Sequence, residues 1–381
     1  MRKAIDRICF QQSNWLEGEP HDHRVCKKPS RFERFIRYMR IALIALVVSG
    51  AVIPVRAQSP DNLGACDELA FSTEEDFLTQ GPLPADGNPL ISDGDLLSRN
   101  GDICARNWQL LQTWALKTDL GLDAVDLIFA DGATVVFSTE LDDPRGRFTE
   151  GDLLTTTGAI IPNQALLTSF QVGHNMGLDA LHLVGDVKDI DTFLKVAADT
   201  KPEAWLNGMI LPSWLERYGV DIWFSVEGTE LRAATVPIYD GDLLSVRDGT
   251  VILRQDQLLP ATVPAGIPNR GVDFGLDGIT GARQPNRPSM RFSTELLYRK
   301  DPPFTDGDIL RLGVGVESLH HTLIAPFEPK ARFLGIDALY MYVENDNPNL
   351  GGNSGGNSGG MGGTEDGDDE NLQLFIPLVN R

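Results

Sequence analysis

Apolar residues occur along the middle of this chain in bursts of two to five, separated by Gly, Asp, Pro and Ser, and long helical periods are rare. The segment ThrValValPheSerThr (134–139) is β-branched and aromatic, which suits a pleated strand. LeuLeuSerValArgAspGlyThrValIleLeu (243–253) sets Asp248–Gly249 between two apolar runs and predicts a hairpin. Gly101, Gly158 and Gly313 are expected to serve the same turn in other copies.

Three phrases recur in a fixed order. FS[TV]E begins at Phe71, Phe137, Phe224 and Phe292; [DE]GD[LI]L begins at Asp93, Glu150, Asp240 and Asp306; G[LI]D[AG] begins at Gly121, Gly177, Gly275 and Gly335. Ordered recurrence of this kind defines a tandem repeat. Each unit predicts about four short strands: the FS[TV]E strand, the two arms of the hairpin and the G[LI]D[AG] strand. An apolar linker, AsnGlnAlaLeuLeuThrSerPhe (163–170) in the second copy, precedes the last of these.

The fold class this implies is all-β, with four units of about four strands, the arithmetic of a β-propeller. The body opens on an FS[TV]E strand and ends on a G[LI]D[AG] strand. A ring closed by its terminal strands is therefore expected, with Ala338–Val343 beside Leu69–Thr73; an open stack of sheets is the alternative. Between copies two and three, residues 186–219 predict a small helical insertion, with Pro202 and Glu203 after Thr200 as a helix start and Trp205, Leu206, Met209 and Ile210 on one face. Trp205, Trp214 and Trp223 are expected to pack this insertion on a sheet rather than to stack on a sugar.

The flanks have other compositions. Ile41–Val55 is an apolar run of 15 residues preceded by Arg34, Arg37 and Arg40, which predicts a secretory signal cut near Ala57. Met39 would make a more ordinary start, and the run is short for a membrane span. Four segments follow: a leader (1–57), a repeat body (58–343), a Gly/Asn/Ser-rich then acidic linker (344–370) and an apolar tail (371–381). Residues 1–57 carry 11 Lys or Arg and 5 Asp or Glu, a net of +6, so with −21 for the whole chain the remainder carries −27. So acidic a surface excludes nucleic acid as a partner and favours cations.

Cys9 and Cys26 fall in the leader. Cys66 and Cys104 form an even pair in the body, which predicts one disulfide in an exported chain, against two reduced thiols. Acids recur at matched places: Glu74, Glu140, Glu227 and Glu295; Asp93/Asp95, Glu150/Asp152, Asp240/Asp242 and Asp306/Asp308; and Asp123, Asp179, Asp277 and Asp337. The hairpin acids are the candidate metal ligands, with Ca2+ as the ion, because a hard cation takes six to eight oxygens. Their competing role is to cap Asp–Gly turns, and recurrence in every copy favours that role. Motifs for zinc hydrolysis, P-loops or dinucleotide binding are absent, and no catalytic residue is assigned.

The repeat phrases resemble those of uncharacterised exported bacterial repeat proteins, and the IPLV-type tail followed by Asn380 and Arg381 is similar to short sorting tails on exported proteins. These resemblances imply secretion or surface attachment and no particular activity. The expected function is a secreted or cell-surface binding or structural module, with an extracellular polymer or protein as ligand. The tail would dock on export or surface machinery, and membrane contact would be confined to the leader. The competing class is an extracellular carboxylate hydrolase of polysaccharide.

Overall fold

In the computed structural model the described residues are 60 and 62–343, apart from 234–235, 268–270, 285–288 and 332. The chain divides into units 1–56 and 57–381, and the described residues belong to the second. The predicted leader, linker and tail lie outside them.

The architecture is all-β with a few short helices. Strand β1 (Leu69–Thr73) is followed by a ribbon of β2 (Phe77–Leu78) and β3 (Leu90–Ile91), then by the hairpin β4 (Leu96–Ser98) and β5 (Ile103–Ala105). Strands β6 (Val125–Ala130), β7 (Gly132–Phe137), β8 (Leu153–Thr155) and β9 (Ile160–Ile161) form the second sheet in that order. The third sheet is β10 (Leu181–Val184), β11 (Asp221–Phe224), β12 (Leu243–Ser245) and β13 (Thr250–Leu253). The fourth is β14 (Ile279–Thr280), β15 (Arg291–Phe292), β16 (Ile309–Arg311) and β17 (Gly315–Ser318). The last strand, β18 (Ile336–Met341), returns to β1, so the first sheet reads β18-β1-β4-β5. Leu69 pairs with Met341, Ala70 with Tyr340 and Phe71 with Leu339, all antiparallel. Each sheet thus begins with a G[LI]D[AG] strand, then takes an FS[TV]E strand and a hairpin.

The lead strands pack on one another in turn: β18 touches β6 and β14, and β10 touches the same two. Four apolar clusters fill the spaces between sheets. One holds Ala70, Leu96, Val125 and Phe137 of the first and second sheets, another Val136, Leu181, Phe224 and Leu244 of the second and third. Ala180, Leu243, Ile279 and Phe292 join the third to the fourth, and Phe71, Leu97, Ile309 and Leu339 join the fourth to the first. Every FS[TV]E phenylalanine is fully buried in one of these wedges. Both faces of each sheet are covered, which explains why β1 is buried at all five positions and shows little alternation.

The serine of the same phrase ties sheet to sheet. Ser72 Oγ donates to the Leu122 carbonyl (3.0 Å), Ser138 Oγ to Leu178 (2.7 Å) and Ser225 Oγ to Leu276 (2.7 Å), each acceptor lying just before the next sheet's lead strand. Ser72 also accepts from Ala338 N–H on β18, and Ser138 from Ala124 N–H just before β6. In the fourth sheet Gly278 replaces that alanine, and Ser293 Oγ is buried without a hydrogen-bond partner. Away from the Asp-Gly turns, Arg283 reaches back from the end of β14. It clamps Asp126 of β6 through two 2.8 Å contacts and donates to the carbonyls of Leu127 and Leu183.

The insertion is helical as expected and a helix does begin at Pro202, but its main helix lies upstream of that start. Its main helix is α1 (Val187–Ala198), capped by Asp186 accepting from Lys188 N–H; α2 (Pro202–Trp205) and α3 (Ile210–Tyr218) follow. Thr200 caps nothing; its hydroxyl donates back to the Val196 carbonyl. Nor do the four expected residues share a face: Trp205 is buried, whereas Leu206 and Met209 are 47% and 52% exposed, because α2 stops after one turn. Helix α1 packs mainly on β6, and α1 and α2 both reach β9, the outer strand of the second sheet. Trp205 and Trp214 meet edge to face at 5.3 Å inside this layer, and Trp223 is buried on β11 with its indole N–H on Asp221. The apolar linkers contain one-turn helices: Asn107–Leu110, Asn163–Leu166, Gln255–Leu258 and His320–Ile324.

A disulfide joins Cys66 to Cys104, with Cα atoms 6.0 Å apart and a sequence separation of 38 residues. It pins the turn Leu63–Cys66 to the outer strand β5. A loop of that size constrains the unfolded chain by about 4 kcal/mol in the chain-entropy model. The Cys66→Ser/Cys104→Ser protein is therefore expected to lose stability of that order in denaturant titration. Phe137→Ala should cost ~3–5 kcal/mol through the cavity it leaves between two sheets; a change below ~1 kcal/mol would contradict the wedge packing.

Candidate carboxylate centre

Each sheet brings three acids towards the end where its lead strand begins. The G[LI]D[AG] segment supplies Asp337, Asp123, Asp179 or Asp277, the FS[TV]E segment supplies Glu74, Glu140, Glu227 or Glu295, and the hairpin supplies Asp93, Glu150, Asp240 or Asp306. The glycine of G[LI]D[AG] allows this crowding. A Cβ built on Gly335 would lie 2.1 Å from the Glu74 carboxyl carbon, and one on Gly275 would lie 2.3 Å from that of Glu295. Gly121 and Gly177 stand in the same relation to Glu140 and Glu227. The glutamate therefore lies across bare backbone beside the aspartate two residues on.

The groups also combine across neighbouring sheets. The charges of lead-strand and hairpin acids of one sheet act on the glutamate of the next: Asp337 and Asp93 with Glu140, Asp123 and Glu150 with Glu227, Asp179 and Asp240 with Glu295, and Asp277 and Asp306 with Glu74. Asp179, Asp240 and Glu295 are the tightest, with one carboxylate oxygen of each within 4.8 Å of the others. Two oxygens on one calcium at about 2.3–2.6 Å lie no more than ~5 Å apart, so this triple can hold a cation.

The lead-strand aspartates are deeply placed. Asp123, Asp179 and Asp277 are 4%, 5% and 3% exposed, and each has an Oδ2 atom that is buried without a hydrogen-bond partner. Asp337 Oδ2, Asp240 Oδ1, Asp273 Oδ2 and Asp306 Oδ1 are likewise buried and unpaired. A buried, unsatisfied carboxylate oxygen is costly unless a proton or cation meets it. Burial, reinforced by neighbouring acids, holds all four lead-strand aspartates well above the usual carboxylate range. Burial also pushes Glu74 and Glu140 up to about 7, and pushes Asp240 up to about 8 with help from Glu295 and Asp273.

The eight hairpin acids divide by position. The second of each pair belongs to the turn. Asp95, Asp152, Asp242 and Asp308 accept from the N–H of Ser92, Thr149, Tyr239 and Thr305 at 2.8–3.1 Å. Asp95, Asp152 and Asp308 also accept from the first N–H of the following one-turn helix, at Asn107, Asn163 and His320. Arg106 and Arg254 bind Asp95 and Asp242 in addition. These oxygens are committed to the chain. The first of each pair has other surroundings: Asp240 joins the triple, Asp93 N–H donates to Asp76 Oδ1, Glu150 N–H donates to Asp142 Oδ1, and Glu150 Oε1 accepts from the Asn175 amide (3.1 Å).

Sequence reasoning passed over two further sets. Two residues before each G[LI]D[AG] glycine stand Asp119, Asn175, Asp273 and Phe333. Asp119 Oδ1 accepts from Gly121 N–H, Asn175 Oδ1 from Gly177 N–H, and Asp273 Oδ1 from Gly241 N–H. The other set is Asn107, Asn163, Gln255 and His320, whose side chains satisfy the backbone of the same segment. Asn107, for example, donates to the carbonyls of Gly94 and Gly121 and accepts from Leu120 N–H, and His320 Nε2 accepts from Leu334 N–H. Aligning the four copies residue by residue exposes both columns.

Comparison of the chain with protein-family models, curated proteins and solved structures finds no match. Among the described residues no helix is long and apolar enough to cross a membrane.

The raised carboxylates fix a pH dependence. Between about pH 5 and pH 8 the native chain holds more protons than the unfolded one, so stability without metal is greatest at low pH and is lost as pH rises through the folded values. In chelator, the melting temperature is expected to fall across that interval; a rise would contradict the crowding.

Proposed function

We propose that the body is a four-bladed, propeller-like ring in a secreted or surface-held binding module, and that calcium at the carboxylate centre holds its sheets together. The ring reading is supported by the β18–β1 pairing, by the lead strands packing in turn and by one apolar wedge between each pair of neighbouring sheets. The cation reading is carried by one observation: the Asp179, Asp240 and Glu295 oxygens converge within 4.8 Å, with buried oxygens of Asp179 and Asp240 unpaired. A hard cation satisfies those oxygens and cancels the repulsion in one step. Export is supported by the leader pattern and by the disulfide, and calcium is abundant where such a chain would go. Near-identical acids in all four sheets favour a module over a hydrolase, whose chemistry asks for one acid pair set apart from the rest.

Calorimetry of the purified chain tests this. A cation at 100 times its Kd stabilises the fold by about 2.7 kcal/mol, or roughly 4–5 °C for a body of this size. Millimolar calcium should raise the melting temperature by that order, and Asp240→Asn/Glu295→Gln should remove the increment. An unchanged melting temperature in calcium would dispose of the cation reading.

A further inference from the structure

The first repeat departs from the other three around its hairpin. Residues 75–92 run between its FS[TV]E phrase and its Asp-Gly-Asp turn, against 141–149, 228–239 and 296–305 in the later copies. The longer segment contains the β2–β3 ribbon, in which Leu78 pairs with Leu90. On the one-turn helix, Trp108 stands where the later copies have Gln164, Asp256 and His321. Lys117, two residues before Asp119, stands where Gly173, Gly271 and Ala331 precede Asn175, Asp273 and Phe333.

These departures meet at one cavity of about 130 Å³. Leu90 and Trp108, 39% and 49% exposed, are its apolar lining. Arg106 builds it. Its Nε and Nη2 donate to the two Asp86 oxygens (2.7 and 2.9 Å), its Nη1 to Asp95 (2.6 Å) and the Leu90 carbonyl (2.7 Å), and its Nη2 also to the Asn88 carbonyl (3.0 Å). All five guanidinium N–H groups are thereby taken up in holding residues 86–90 to the hairpin, so the cavity is formed in advance of a ligand. Other polar atoms of its lining are left over. Among the described residues, Asn88 Nδ2, Ser92 Oγ, Trp108 Nε1 and Lys117 Nζ have no hydrogen-bond partner. Asp119 accepts from Gly121 N–H through Oδ1 and keeps Oδ2 open.

The chemistry of this lining fits a neutral, polyhydroxylated ligand. A hydroxyl both donates and accepts, which suits a lining that offers amide, indole and ammonium donors beside a carboxylate and a hydroxyl. An anion would meet one uncommitted cation, Lys117, among the carboxylates of Asp86, Asp95 and Asp119, and a cation would meet Lys117 itself. The exposed indole offers a flat apolar face with a polar tip, as stacking on the C–H side of a sugar ring requires. The volume equals that of about four waters at ~30 Å³ each. It falls below the ~300 Å³ of sites that enclose a drug-sized ligand, and so suits one unit of a longer chain.

We propose that this cavity binds one sugar unit of a neutral extracellular saccharide, with Trp108 as the stacking platform and Asn88, Ser92, Lys117 and Asp119 as hydroxyl partners. The assignment rests on the binding-module reading and names its site; it does not need the calcium ion.

Isothermal titration of the full chain with cellohexaose, maltohexaose, chitohexaose and mannohexaose, each in calcium and in chelator, tests this. At least one is expected to bind, with a Kd on the order of 1 mM for so small a contact. Trp108→Gln, which gives the first repeat the residue of the second, should weaken that binding at least about tenfold. Because the side chain is half exposed, the melting temperature should stay unchanged. Trp108→Phe should keep most of the affinity, and Lys117→Ala should lose roughly three- to tenfold. Saccharide binding indifferent to Trp108→Gln would overturn the cavity while leaving the module reading. No binding of any of the four at ten times the expected Kd, or a preference for tetra-alanine or trigalacturonate over all of them, would overturn the saccharide assignment. A melting temperature raised by calcium in the same samples would show that the ring and its ion stand apart from that failure.

Discussion

Mutual repulsion among carboxylates is the constraint around which this fold is arranged. Three acids from each sheet are brought to one region, and the innermost of them are almost fully removed from water. In a medium of effective dielectric near 20, two unit charges 4 Å apart repel by about 4 kcal/mol. Such a cluster cannot stand fully ionised without compensation. The chain compensates part of it with backbone N–H groups at the turns, and the buried oxygens left unpaired mark where a proton or a cation must come in.

The apolar wedges and the serine ties supply the opposing attraction. Three of the four FS[TV]E phrases do three jobs within four residues: the phenylalanine fills the wedge between sheets, the serine bonds the backbone leading into the next sheet, and the glutamate enters the acid centre; the fourth lacks the serine bond. Burial and charge are therefore set against each other along a single strand. Relieving the repulsion is coupled to sheet–sheet packing because the same short segment carries both. At a distance in sequence from these phrases, Arg283 adds a bidentate clamp on Asp126 that holds the Asp126 carboxyl below its ordinary range despite burial.

Much of this was legible in the sequence because the repeats impose their own alignment. The phrases placed every strand of the four sheets, and the offset between the first and last phrases indicated the β18–β1 pairing. The role of the hairpin acids was read only in part. An Asp-Gly-Asp triplet does not say which carboxylate turns inward; that follows from Asp95, Asp152, Asp242 and Asp308 being reached by N–H groups three residues back. Helix α1 was passed over because its register, with Ile190, Phe193, Leu194 and Ala197 buried, begins at Asp186, before the Thr200–Glu203 signal. Arg283 could not be found by motif, since its partner lies 157 residues away in sequence.

The account turns on a cation, rather than protons alone, meeting the unpaired oxygens. Crystals grown near neutral pH in millimolar calcium, measured at long wavelength, answer this directly. The expected result is an anomalous peak about 2.3–2.6 Å from the carboxylate oxygens of Asp179, Asp240 and Glu295. A map without a peak there, with those side chains hydrogen-bonded to one another, would contradict it.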